Sequence, residues 1–202
     1  MFISGCISSN FDEKPVGVDV SVVVIHAISL PPSRFGGPGV EQLFTNTLNP
    51  ADHPYYAEIH QLRVSAHYFI RRDGRVIEFV PPEMRAWHAG VSSWKGRERC
   101  NDFSVGIELE GCDTLPFEPV QYEVLADLLV ALKARFPIED VVGHSHVAPG
   151  RKTDPGPFFD WSRLAACLAG RSGAEGLCLA ENGPEAVADS RRWPFPLQAR
   201  PG

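Results

Sequence analysis

The stretch Val18-Asp19-Val20-Ser21-Val22-Val23-Val24-Ile25-His26 decides how this chain folds. β-Branched side chains favour pleated backbone. Val22–Ile25 has no polar residue, so it lacks the alternation of a strand with one wet face and reads as a buried strand. The run ends on His26. A second apolar run, Val141-Val142-Gly143, leads into His144 in the same way. Strand ends beside loops are where rigid scaffolds display reactive groups.

Outward from these two strands the pattern mixes periods. Ser104–Glu110 reads as a strand, with Val105, Ile107 and Leu109 on one face and Glu108 and Glu110 on the other. Ser65–Arg71 and Arg75–Val80 read as a hairpin, because Asp73-Gly74 supplies the positive φ of a tight turn. Val124, Leu125, Leu128, Leu129 and Leu132 make an apolar stripe that predicts a helix over Val120–Phe136, stopped by Pro137. Asp160 is placed to cap a last helix running to about Ala169. Between Pro31 and Gln61 lies a Pro- and Gly-rich insertion with one short helix near Val40–Thr47, of the kind that walls or covers a site. His144–Pro157 reads as a polar loop. These elements predict a mixed α/β single domain with a central sheet flanked by helices, spanning residues 1–170, and an irregular tail over 171–202.

Composition narrows the partners. The 202 residues carry 19 basic and 25 acidic side chains, a net charge of −6, so no global positive field draws the protein to nucleic acid or to an anionic membrane. No apolar run is long enough to cross a bilayer, and the N-terminus does not read as a signal peptide. The five cysteines are odd in number, widely spaced and without a Cys-x-x-Cys pair, which suits a reducing compartment. A cytoplasmic protein is expected.

His26, His144 and Asp154 together offer two imidazoles and a carboxylate, a set that can hold zinc with one position left open. Five other histidines, at 53, 60, 67, 88 and 146, compete for the same role on spacing alone. Either Glu108 or Glu110 could serve as general base and acid, against the alternative of a solvated strand face. Lys152, two residues before Asp154, could face a developing oxyanion or simply be an exposed loop lysine. Arg85, Trp87, His88, Trp94, Arg97 and Arg99 form a basic-aromatic stretch suited either to a carboxylate-bearing ligand or to packing. Cys100, close to His88 in sequence, also admits a Cys–His hydrolase, though no orienting third residue is evident.

Several strings resemble a known family. They include Val24-Ile25-His26-Ala27-Ile28-Ser29-Leu30-Pro31-Pro32, Arg63-Val64-Ser65-Ala66-His67 and Arg85-Ala86-Trp87-His88-Ala89-Gly90. Gly106-Ile107-Glu108-Leu109-Glu110-Gly111 and Arg151-Lys152-Thr153-Asp154-Pro155-Gly156-Pro157 continue the series. In order, from about Asn10 to Leu168, they resemble the cytoplasmic AmpD type of N-acetylmuramoyl-L-alanine amidase. The resemblance implies Zn2+ held by His26, His144 and Asp154, Glu108 as catalytic acid/base, and Lys152 as stabiliser of the tetrahedral intermediate. It implies that Arg63, Trp87, His88 and Arg99 line the substrate site. The implied fold is the mixed sheet shared with phage lysozyme-like amidases and peptidoglycan recognition proteins. The implied substrate is a small 1,6-anhydromuropeptide recycled in the cytosol, with a link to β-lactamase induction where that circuit exists. A monomer is expected.

Two residues depart from the pattern: Ala27 where the family usually carries asparagine, and His146 where an acidic or amide residue is usual. Rival readings are a non-catalytic peptidoglycan-binding module on the same fold and an exported amidase acting on intact wall. Filled ligand, Glu108 and Lys152 positions disfavour the first. The N-terminus and cysteines disfavour the second.

Overall fold

The computed structural model describes residues 3–180. Its strands are β1 (Ile3–Gly5), β2 (Phe11–Glu13), β3 (Val22–Ile28), β4 (Tyr68–Ile70), β5 (Val76–Glu78), β6 (Met84–Ala86), β7 (Ser93–Trp94), β8 (Arg97–Glu98), β9 (Ser104–Glu110), β10 (Asp140–Gly143) and β11 (Cys178–Leu179). Its helices are α1 (Gly39–Phe44), α2 (Pro54–Ile59), α3 (Pro119–Lys133), α4 (His144–Val147) and α5 (Trp161–Ala169). Seven strands form one sheet in the order β1-β5-β4-β9-β3-β10-β11. Every neighbouring pair in it is parallel except β4 with β5, so the sheet is mixed, as the sequence predicts.

Burial on both faces explains the unalternating run. Val23, Ile25, Val105, Ile107, Leu109 and Val141 pack into the cluster that also buries Leu125, Leu129 and Leu132 of α3 and Leu164 and Leu168 of α5. On the opposite side, Ile28, Phe69 and Ile77 pack with Val40, Leu43 and Phe44 of α1 and Tyr56 and Ile59 of α2. Val22, Val24 and Val142 join Ala89, Cys100, Phe103 and Val147 in a third cluster. His26 and Glu108 follow Val24 and Gly106 at the strand period of two, so they stand on the side of the sheet away from α3.

The helix boundaries follow local chemistry. Pro119 opens α3, and Gln121 Oε1 accepts from the Glu118 backbone N–H at 2.9 Å. The same Gln121 donates through Nε2 to Ile70 O at 3.2 Å and Glu110 O at 3.1 Å, tying the helix start to the ends of β4 and β9. Asp160 Oδ1 accepts from Arg163 N at 2.8 Å, the expected cap of α5. The hairpin turns at Gly74, whose φ is +84°.

Several elements differ from the sequence reading. β3 continues through Ile28, so His26 lies inside the strand, because β9 pairs with it along its whole length. The Pro31–Gln61 insertion holds two helices. The second, α2, starts at Pro54 and is capped by His53, whose Nδ1 accepts from Tyr55 N at 3.1 Å. His144–Val147 forms a short helix within the stretch read as a polar loop. Cys178–Leu179 adds an edge strand to β10, where the reading from Arg171 onward was irregular. The tail from residue 181 lies outside the described residues. Among those described, no helix is long and apolar enough to cross a membrane.

Candidate active site

Register brings distant residues together. Gly143 pairs with Ile25 and Glu108 with His26, so His144 emerges beside His26 at the carboxyl ends of parallel strands, where open α/β sheets place their sites. His26 Nδ1 lies 2.9 Å from His144 Nδ1 and 3.1 Å from Asp154 Oδ2. His144 Nδ1 lies 3.0 Å from the same Asp154 oxygen. All three residues are buried, and among the described residues they are the one group of histidine, cysteine and carboxylate side chains close enough to share a metal ion.

The donor set suits a cation. His144 Nε2 sits 3.1 Å from the carbonyl of Ala89, which can only accept, so this nitrogen carries the hydrogen and Nδ1 faces the other two ligand atoms. Burial first, and the neighbouring His144 second, push the His26 pKa down to about 4, leaving a neutral imidazole at physiological pH. Asp154 brings a buried carboxylate to the same point. Two imidazole nitrogens and a carboxylate oxygen thus converge within a triangle of 2.9–3.1 Å sides. Acceptors that close repel unless a cation lies between them. Two nitrogens and one oxygen are a donor set that a divalent cation can accept.

Glu108 shares this cleft. It is 9% exposed, and its Oε2 has no hydrogen-bond partner among the described residues. Burial first, and the Asp154 carboxylate second, raise its pKa well above the ordinary range, with Lys152 opposing. Lys152 is itself buried, and burial lowers its pKa. Glu110, on the same face, has a different task. Its Oε1 accepts from Gly36 N at 2.5 Å and from Arg71 Nη1 at 3.2 Å, while Arg71 Nη2 reaches Glu41 at 2.5 Å and Gly37 O at 3.0 Å. That network pins the insertion to β9. Neither glutamate stands on a solvated face.

The cleft is lined by residues of the sheet, of the insertion and of the loop that carries Asp154. Ile28, Phe44, Val64 and Trp87 give it an apolar side, and Phe44 comes from the insertion, which therefore walls the site. Asp113 and Thr153, not singled out in the sequence, line it too; Thr153 Oγ1 donates to Asp113 Oδ2 at 3.0 Å. Their signal was position alone, since each sits within three residues of Glu110 or Asp154. Ala27 and Cys112 also face the cleft.

The proposed substrate residues are spread out. Trp87 lines the cleft and donates through Nε1 to Asp12 Oδ1 at 3.2 Å. His88 borders it with its ring edge-on to His26. Arg63 is exposed beside Val64, with Nη1 on the carbonyls of Gln61 and Leu62. Arg99 is exposed and pairs with Asp102 at 3.2 Å. Neither arginine is among the cleft-lining residues.

The competing histidines have local tasks. His67 is fully buried, accepting from Gly106 N at 2.9 Å and reaching Met84 O at 3.0 Å. His146 Nδ1 accepts from Gly143 N at 2.8 Å, and its ring leans on Trp161. Cys100 is fully buried and burial raises its thiol pKa, so it is no nucleophile.

Residues 16–157 match the family described as N-acetylmuramoyl-L-alanine amidase. The chain belongs to this amidase family. It is 54% identical to the 1,6-anhydro-N-acetylmuramyl-L-alanine amidase AmpD of Citrobacter freundii over 170 residues, covering 83% of this chain and 91% of that protein. A crystal structure of a selenomethionine AmpD derivative superposes with a TM-score of 0.80 at 54% identity, over 82% of this chain and 94% of that one. AmiD of E. coli, solved with anhydro-N-acetylmuramic acid-L-Ala-D-γ-Glu-L-Lys, superposes with a TM-score of 0.54 at 31% identity, over 82% and 74%. The amidase fold thus carries the His-His-Asp group, Glu108 and Lys152 in one cleft.

Proposed function

We propose that this amidase uses zinc to hydrolyse the amide between (1,6-anhydro-)N-acetylmuramic acid and the L-alanine of a peptidoglycan stem peptide, in cytoplasmic cell-wall recycling. The observation that carries the reading is the triangle of His26 Nδ1, His144 Nδ1 and Asp154 Oδ2 in the same cleft as the buried Glu108, whose Oε2 has no hydrogen-bond partner among the described residues. The anhydromuropeptide substrate is supported by the relatives' own substrates, AmpD by name and AmiD by its bound ligand. A small-molecule substrate is supported by the anhydromuramic ligands bound in the solved AmiD and AmpDh3 structures. The link to β-lactamase induction rests on the same clearance of anhydromuropeptides.

Zinc held by His26, His144 and Asp154 would supply Lewis acidity, polarising the scissile carbonyl and lowering the pKa of water at the open position. Glu108 takes the proton of the attacking water. Its desolvated carboxyl has a raised proton affinity, so it holds that proton until it passes to the departing alanine nitrogen. Lys152 lies in the same cleft, where its ammonium offsets the negative charge that gathers on the former carbonyl oxygen. Trp87, with Phe44 and Val64 nearby, gives the sugar or peptide an apolar wall, and Arg63 and Arg99 at greater distance offer charge to stem carboxylates.

Removal of metal tests the zinc requirement. Protein stripped with a chelator is expected to lose turnover of an anhydromuramyl tetrapeptide and to regain it with one equivalent of zinc. Full turnover by protein shown to be metal-free contradicts the proposal.

A further inference from the structure

Behind the two histidines runs the segment Trp87–Ala89. Asn101 Oδ1 grips it by accepting from His88 N at 3.3 Å and Ala89 N at 2.8 Å. Ala89 then receives His144 Nε2–H, as described above. His26 turns its Nε2 to His88 Nδ1, 3.0 Å away. Between two imidazole nitrogens, that distance alone does not say which one carries the hydrogen.

The answer lies one side chain further out. His88 Nε2 is 3.3 Å from Ser104 Oγ, and Ser104 Oγ is 2.5 Å from the carbonyl oxygen of Cys100. A carbonyl cannot donate, so the single hydroxyl hydrogen of Ser104 goes to Cys100. Ser104 Oγ can then only accept, and the donor facing it is His88 Nε2–H. A neutral imidazole has one N–H, so His88 Nδ1 is bare and accepts from His26 Nε2–H. His26 Nδ1 is therefore bare as well, and it points at His144 and Asp154. Gly106 makes room for this arrangement: a Cβ there would lie 2.4–2.7 Å from His88 ring atoms.

We infer that Ser104, acting through His88, is a positioning relay that holds His26 in the one tautomer able to bind metal. The inference rests on the zinc reading above and adds two residues to it. His88 becomes the outer partner of a metal ligand, a role that commonly tunes affinity. Ser104, two side chains from the ligand atom, sets the direction of the chain.

Two measurements test it. The first is zinc affinity by competition with a chromogenic chelator, alongside the visible spectrum of the cobalt-substituted protein. His88→Leu removes the acceptor and is expected to weaken zinc binding about 10- to 100-fold and to shift the cobalt bands. Ser104→Ala is expected to weaken it by a smaller factor. His88→Asn places an amide oxygen near the position of Nδ1 and is expected to recover affinity to within a few-fold of the parent. Parent-like affinity in both His88→Leu and Ser104→Ala overturns the relay. So does a His88→Asn variant as weak as His88→Leu, since packing and not the hydrogen bond would then matter. The second measurement needs no variant: histidine side-chain 15N spectra of the intact protein at neutral pH. His88 and His26 are expected to show hydrogen on Nε2, and hydrogen on Nδ1 of His88 overturns the inference. A parent protein that takes up no zinc overturns the metal reading itself, which the tautomer spectra distinguish from failure of the relay.

Discussion

Asp154→Ala is expected to leave a folded protein that retains no zinc and whose kcat/KM on an anhydromuropeptide collapses. The loss should exceed the roughly 10- to 100-fold that removal of an outer hydrogen-bond partner costs a metal site. Asp154 Oδ2 is the only anionic corner of the ligand triangle, 3.1 Å from His26 Nδ1 and 3.0 Å from His144 Nδ1. Its removal leaves two neutral donors facing each other at 2.9 Å with nothing to offset a divalent charge. Metal content by atomic emission and steady-state kinetics on the same sample check this. Stoichiometric zinc together with unchanged kcat/KM would remove Asp154 from the ligand set.

Glu108→Gln separates chemistry from metal binding. The amide keeps the shape of the side chain but cannot move a proton, so kcat should fall by about 10²- to 10⁴-fold while zinc stays bound. The same substitution should raise stability in the metal-free protein. Burial and the Asp154 charge raise the folded-state pKa of Glu108 well above its ordinary value. As pH climbs, the unfolded chain ionises this carboxyl first, at about 4.3, and stability drains away until the folded-state pKa is reached. Glutamine carries no such cost. Thermal melts of metal-free parent and variant should therefore coincide near pH 4, then separate in favour of the variant as pH rises. Near-normal kcat with zinc bound would deny Glu108 its role, and a melting gap that shrinks with rising pH would deny its buried carboxyl.

Much of this was legible from residue type and period. β9 has the limits its alternation predicts, and α3 follows its apolar stripe to within a few residues. His26, His144 and Asp154 were readable as a plausible zinc set by chemistry, and the family resemblance chose them over five other histidines. What sequence could not supply was register. His26 and His144 are 118 positions apart, and only the pairing of β3 with β10 sets them side by side. The same limit hid the difference between Glu108 and Glu110. Both point to one face of β9, but Arg71 arrives from the end of the hairpin to pair with Glu110, while Glu108 Oε2 has no hydrogen-bond partner among the described residues. His26 read as a strand end because the valine run stops there. The strand goes on because β9 pairs with Ala27 and Ile28 too.

His88 borders the cleft and has further neighbours that its local sequence does not disclose. Its place in a basic-aromatic stretch suggested a substrate contact, and the resemblance implied one. The structure sets its ring between His26 and Ser104, over a glycine with no Cβ to exclude it. No local pattern in Trp87-His88-Ala89 carries that information, since both neighbours come from other strands. Helix α2 and the short α4 went unread for a related reason. Each is only a turn or so long, and the tertiary contacts of Tyr56, Ile59 and Val147, not helical periodicity, hold them in place.

The most direct test is mass spectrometry of the products formed by zinc-loaded protein from an anhydromuramyl tetrapeptide in 18O-water. Free tetrapeptide beginning with an unlabelled L-alanine amine is expected, together with anhydromuramic acid carrying one 18O in its lactyl carboxylate. No cleavage by protein confirmed to hold zinc, or label and scission at any other bond, would contradict the proposed hydrolysis.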